Sequence, residues 1–116
     1  MGQYVKTIRK DALPEGGSQA IRVHDREVGL FNVGGIIYAL DDPCPHQYFP
    51  LSQGELCGSV VHCALHGWRF DVTTGGPPHG QGLFPRVSTY EVVERDGWIL
   101  IDPTPRRPAA PAPDKP

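Results

Sequence analysis

The sequence predicts an all-β domain, and three observations carry that reading. Short β-branched and aromatic runs recur along the 116 residues. Between them lie turns built from an unusually large supply of breakers, 14 Gly and 13 Pro. No segment of ten or more residues shows 3.6-residue periodicity free of such breakers, so helices of ordinary length are not expected.

The elements follow in order. Tyr4 to Arg9 is a short β-prone run, and Leu13-Pro14-Glu15-Gly16-Gly17 is a turn. Ala20 to His24 and Glu27 to Val33 read as strands joined tightly around Asp25-Arg26. Gly34-Gly35 supplies two residues that tolerate positive φ, a hairpin signal ahead of the strand Ile36 to Leu40. Asp41 to Gly58 breaks into a Pro- and Gly-containing loop. Ser59 to Cys63 is a short strand, Ala64 to Gly67 a second loop, and Trp68 to Val72 another strand. Thr73 to Gly82 forms a third loop. Tyr90 to Glu94 and Trp98 to Ile101 flank Arg95-Asp96-Gly97, a second hairpin signal.

From Pro103 the composition changes to six Pro, three Ala and polar residues in fourteen positions. Such a segment cannot bury enough apolar surface to offset its ordering entropy. The chain therefore divides into one domain, 1–102, and a Pro-rich disordered tail, 103–116, of polyproline II character.

Composition narrows the function. Formal net charge is −2, of which the tail contributes +2, leaving a mildly acidic body of −4. That balance argues against a nucleic-acid partner, which needs clustered Lys and Arg. It suits docking to a basic patch on another protein. No run approaches the roughly 20 apolar residues that span a bilayer, so no membrane role is expected. Met1 to Lys10 lacks the apolar core of a signal peptide, which predicts a cytoplasmic location. Three cysteines cannot all pair within one chain, and cysteines beside histidines in a reducing compartment suggest a metal.

Two ligand pairs stand out, Cys44-Pro45-His46 and Cys63-Ala64-Leu65-His66, all within a 23-residue window. A lone Cys is commonly a small buried hydrophobe, and a lone His a surface residue. Two Cys/His pairs on two predicted loops are a different matter. Loops projected side by side from one sheet bring two thiolates and two imidazoles together, a donor set that suits zinc or an iron–sulfur cluster.

The runs that carry these pairs resemble the cluster loops of Rieske ferredoxins. Cys44-Pro45-His46-Gln47-Tyr48-Phe49-Pro50-Leu51-Ser52-Gln53-Gly54 is similar to the first loop of that family. Cys63-Ala64-Leu65-His66-Gly67-Trp68-Arg69-Phe70-Asp71 is similar to the second, and Val72 to Pro78 resembles the start of the family's proline loop. The resemblance runs from about Tyr4 to Asp102, with the pattern C-x-H-x16-C-x2-H at its centre. It implies stacked antiparallel sheets with two cluster-binding loops at one tip, and one [2Fe–2S] cluster per chain. Cys44 and Cys63 would hold the inner iron, His46 and His66 the outer iron. Replacing two thiolates by neutral imidazoles leaves less negative charge and raises the potential above that of an all-cysteine cluster. Loss of a ring proton from an outer histidine would add negative charge, so the potential should fall as pH rises.

The resemblance also suggests which kind of Rieske protein this is. Respiratory-chain members carry two further cysteines that brace the loops with a disulfide; Phe49 and Leu65 stand at those positions. High-potential members donate side-chain hydrogen bonds to the cluster sulfurs from a Ser and a Tyr, where this chain has Trp68 and Phe70. Without such donors the reduced, more negative state is less stabilised. The expected potential lies near the low end of the Rieske range, about −150 mV. The sequence resembles most closely the ferredoxins of bacterial ring-hydroxylating dioxygenase systems. The implied role is a low-potential electron carrier, not itself an enzyme, between a flavoprotein or other reductase and a terminal oxygenase, working as a monomer. Two alternatives stay open: the small subunit of a nitrite-reductase-type enzyme, and a zinc-stabilised binding module.

Other residues read more plainly. Cys57 reads as structural filler, with a redox-active or alternate-ligand role as its second reading; His62 should point away from Cys63 as a surface residue, and His24 sits at a hairpin. His79 is an ordinary loop histidine, with partner docking as its second reading. Gln47 and Tyr48 are bulkier than the family norm, and Tyr48 with Phe49 forms either an apolar rim or packing between loops.

Overall fold

In the computed structural model of the chain, the described residues are 4–42, 50–62, 69–76 and 87–106. Ten strands run through them: β1 Val5–Arg9, β2 Ser18–Val23, β3 Arg26–Val33, β4 Ile36–Asp41, β5 Glu55–Cys57, β6 Val60–His62, β7 Arg69–Asp71, β8 Thr89–Tyr90, β9 Val92–Arg95 and β10 Trp98–Ile101. Single 3₁₀ turns at Lys10–Ala12 and Leu51–Gln53 complete the elements. The strands pair antiparallel in three sheets, ordered β1-β10-β9, β2-β3-β4-β8 and β5-β6-β7. The all-β expectation and the stacked antiparallel sheets are both borne out.

The four-stranded sheet is the middle layer, and side-chain alternation explains why. On one face Val28, Leu30, Ile37 and Ala39 meet Ile99 and Ile101 of the first sheet. On the other, Phe31 and Leu40 meet Val61 and Phe70 of the third, with Leu51, Val72 and Val87 filling between. A strand covered on both sides needs apolar residues without a polar face, which is how Val28-Gly29-Leu30-Phe31 reads.

The tight turns follow their sequence signals. Gly34 and Gly35 have φ of 61° and 95°, and Asp96 and Gly97 have 54° and 82°. Positive φ at both central residues is the I′ pattern that matches strand twist, and it is why those pairs join strands directly. The buried Asn32 ties the first of these hairpins to the Leu13–Gly17 turn: its Nδ2 donates to Leu13 O at 2.7 Å, and its Oδ1 accepts from Gly35 N at 2.8 Å.

Besides the β2–β3 turn, which falls at His24-Asp25 with Val23 paired to Arg26, three details differ from the sequence reading. The stretch read as a loop from Asp41 to Gly58 contains β5, three residues with only Leu56 as an apolar marker and glycines on either side. The run read as one strand from Tyr90 to Glu94 is two strands, because Glu91 leaves the ladder between β8 and β9. The third concerns the tail. Within the segment read as a tail from Pro103, Arg106 pairs with Thr89, donating N to O at 2.8 Å and accepting at 2.9 Å. Arg106 has a backbone N–H that Pro103 and Pro105 lack, and β8 offers an open edge for it. Residues 107–116 lie outside the described residues. Among the described residues, no helix is long and apolar enough to cross a membrane.

Candidate metal centre

All four sequence-predicted ligands, Cys44, His46, Cys63 and His66, lie outside the described residues. So do Gln47, Tyr48, Phe49, Leu65, Trp68, Pro77, Pro78 and His79. What the structure describes is the base from which the ligand loops spring. Among the described residues, no group of three or more His, Cys, Asp or Glu side chains is arranged to hold a metal ion.

The first ligand loop, 43–49, leaves the middle sheet after Asp42 and returns at Pro50. Asp42 closes it. Its backbone carbonyl accepts from Leu51 N at 2.6 Å. Its Oδ1 accepts from Ser52 N at 2.8 Å, and its Oδ2 from Ser52 Oγ at 3.0 Å. Its own N–H donates to Glu27 O at 3.0 Å. The carboxylate is 1 % exposed and fits because residue 29 is glycine; a Cβ there would lie 2.7 Å from Oδ1. Burial raises the Asp42 carboxyl above its ordinary value, against the opposing effect of the Ser52 bonds and with added repulsion from Glu27. Ser18 Oγ extends the closure by donating to Ser52 O at 2.7 Å.

The second ligand loop, 63–68, joins β6 to β7, whose register pairs Val60 with Asp71, Val61 with Phe70 and His62 with Arg69. Cys63 thus directly follows a strand end whose partner is in place. The two loop bases are neighbours. β5 begins one residue after Gly54, Glu55 pairs with His62, and a Cβ on Gly54 would sit 1.9 Å from His62 O. The third loop, 77–86, is also closed at its stem: Val87 N donates to Gly75 O at 2.8 Å, and Asp71 N to Gly76 O at 2.7 Å. Asp41 holds the returning side: its N donates to Ser88 O at 2.9 Å, its Oδ2 accepts from Ser88 N at 3.4 Å, and its Oδ1 accepts the Tyr90 hydroxyl, which in turn accepts from Arg26 Nε at 3.0 Å.

Sequence reasoning missed Asp42, Ser52, Gly54 and Gly75 as the frame of the site. The available signal was the Asp41-Asp42 pair at a strand end with Leu51-Ser52 just beyond the first ligand pair. Cys57, read as structural filler, is instead exposed. It pairs with Val60 at the end of the β5–β6 hairpin away from Cys63, which keeps it off the ligand loops. His62 is half-exposed, in keeping with a surface role. Phe70 is 1 % exposed and packed in the apolar core, with no donor to offer.

The donor set fits an iron–sulfur centre: two thiolates and two imidazoles on two segments whose bases adjoin. A family model described as the Rieske [2Fe-2S] domain matches residues 3–91. The chain belongs to the Rieske [2Fe–2S] domain family. A [2Fe–2S] cluster is the cofactor this membership implies. Among Rieske relatives, the ferredoxin component of the naphthalene 1,2-dioxygenase system of Pseudomonas aeruginosa is 37% identical over 100 residues, 86% of this chain and 95% of that protein. The solved ferredoxin of carbazole 1,9a-dioxygenase from Nocardioides aromaticivorans IC177 is 32% identical and superposes with a TM-score of 0.80, covering 88% of this chain and 99% of that one. A structure of the complex of reduced oxygenase and oxidized ferredoxin in carbazole 1,9a-dioxygenase holds a chain 27% identical, with a TM-score of 0.80 and coverage of 89% and 95%.

Proposed function

We propose that this Rieske protein is a soluble, cytoplasmic, monomeric carrier that passes single electrons from a flavoprotein or other reductase to a terminal oxygenase. The observation that carries the reading is the Rieske match over residues 3–91, which spans both ligand pairs intact. It is supported by relatives that are ferredoxin components of dioxygenase systems and are covered over nearly their whole length. These observations favour the electron carrier over a nitrite-reductase-type subunit and over a zinc-stabilised module.

Cys44 and Cys63 would bind one iron as thiolates, and His46 and His66 the other as neutral imidazoles. When bound, the cluster supplies a one-electron couple. The chain's own residues set its surroundings. Phe70, buried and without a donor, gives the cluster sulfurs no side-chain hydrogen bond. That supports a potential near the low end of the Rieske range, about −150 mV.

The test is the visible spectrum and the EPR of the dithionite-reduced protein, purified without oxygen. The expected result is a coloured protein with a His₂Cys₂ signal that Cys63→Ser and His66→Ala abolish. Voltammetry should place the midpoint at the low end. Absence of iron and sulfide, or spectra untouched by those substitutions, overturns the reading; a clearly positive potential overturns its low-potential part.

A further inference from the structure

We infer that Asp42 is a positioning residue for the cluster: with Ser52 it closes the base of the segment that carries Cys44 and His46. The inference rests on the reading of Cys44 and His46 as ligands. All four polar points of Asp42 are engaged: N with Glu27, O with Leu51, and both carboxylate oxygens with Ser52. Eight residues, 43–50, separate Asp42 from Leu51, the two sides of this closure. The acid is buried at 1 % exposure, and among the described residues no Lys, Arg or His pairs with it.

A buried carboxylate without a cation is a costly way to fill a core, and an apolar residue would stabilise the sheet better. Its use here points to geometry. Ser52 alone among its partners engages it through both a backbone N–H and a hydroxyl, and Ser52 lies two residues before Gly54, which packs on His62. One contact network therefore reaches from the residue two before Cys44 to the residue just before Cys63. A ligand loop that opens at its base exposes the cluster to loss. Each base contact removed shifts that local opening equilibrium, by about tenfold for a buried hydrogen bond left unsatisfied.

The experiment uses the full-length protein with its cluster. A ferrous chelator is added and the visible absorbance is followed. Asp42→Ala is expected to release iron about tenfold faster than the wild type. Asp42→Asn should restore most of the difference, because its amide oxygen accepts from Ser52 N and its amide nitrogen donates to Ser52 Oγ. Ser52→Ala, at a partly exposed position, should fall between, and it decides the matter if Asp42→Ala does not fold. EPR of the reduced protein should broaden in Asp42→Ala and match the wild type in Asp42→Asn. Ile99→Ala, which loosens the opposite core, controls for stability; it should lower Tm without faster release. Wild-type release rates in Asp42→Ala and Ser52→Ala overturn the inference. So does Ile99→Ala releasing iron as fast as Asp42→Ala. A wild-type protein without iron or sulfide defeats the ligand reading itself, and this inference falls with it.

Discussion

Tyr90 shows how one residue can set a pH limit on the fold. It is 2 % exposed, donates its hydroxyl to Asp41 and accepts from Arg26. Burial first, and then the bond and charge of Asp41, push its phenol above the ordinary value. A raised folded value means that the protonated form is favoured in the native state. The stability this contributes is fully present below the ordinary phenol value near 10.0 and is lost as pH rises through the folded one. Thermal melts from about pH 9 to 12 should show wild-type Tm falling steeply. Tyr90→Phe, which cannot ionise there, should start with a lower Tm, because Asp41 loses a donor, and then fall less. Equal slopes in the two proteins would refute this. The same Asp41 also holds Ser88, so one carboxylate serves the middle sheet and the stem of the third loop.

At the scale of elements, the β5–β6 hairpin decides how near the two ligand loops lie. Gly54 has φ −81° and ψ 177°, backbone angles open to any residue. Glycine is needed for another reason: the His62 carbonyl stands 1.9 Å from where a Cβ would be. Gly54→Ala should therefore destabilise by about 1–3 kcal/mol, as overpacking does, read as a lower urea midpoint with an unchanged slope. A midpoint equal to the wild type would show that the hairpin shifts freely. Legibility in the sequence also divides by element. β3, β4 and β10 were readable because β-branched and apolar residues dominate them and the turns at Gly34-Gly35 and Asp96-Gly97 bound them with local chemistry. β5 was not, because Glu55-Leu56-Cys57 becomes a strand through its pairing with Val60–His62 and not through its own pattern. The ligand pairs were legible as chemistry. The frame beneath them was not, since Asp42 depends on the absence of a side chain at Gly29, thirteen positions earlier.

Across the whole molecule, the middle sheet shares one apolar layer with each neighbour, so both cores should melt in a single transition. The C-terminal segment takes part at its first residues. Thr104 N donates to Asp102 Oδ1 at 3.0 Å, and Arg106 exchanges two backbone bonds with Thr89. Ending the chain after Asp102 should cost about 1–2 kcal/mol and remove the slow hydrogen exchange of the Thr89 amide. Ending it after Arg106 should change neither quantity. Full-length stability and Thr89 amide protection in the chain ending at Asp102 would refute this assignment.

The closure at Asp42 and Ser52 has one further consequence, for engineering. A segment whose two ends are already tethered behaves as a cassette. Inserting residues between them adds little closure entropy, because that cost grows only with the logarithm of length. Lengthening the stretch between His46 and Pro50, with Cys44 and His46 kept, should thus leave the stability of the sheets nearly unchanged.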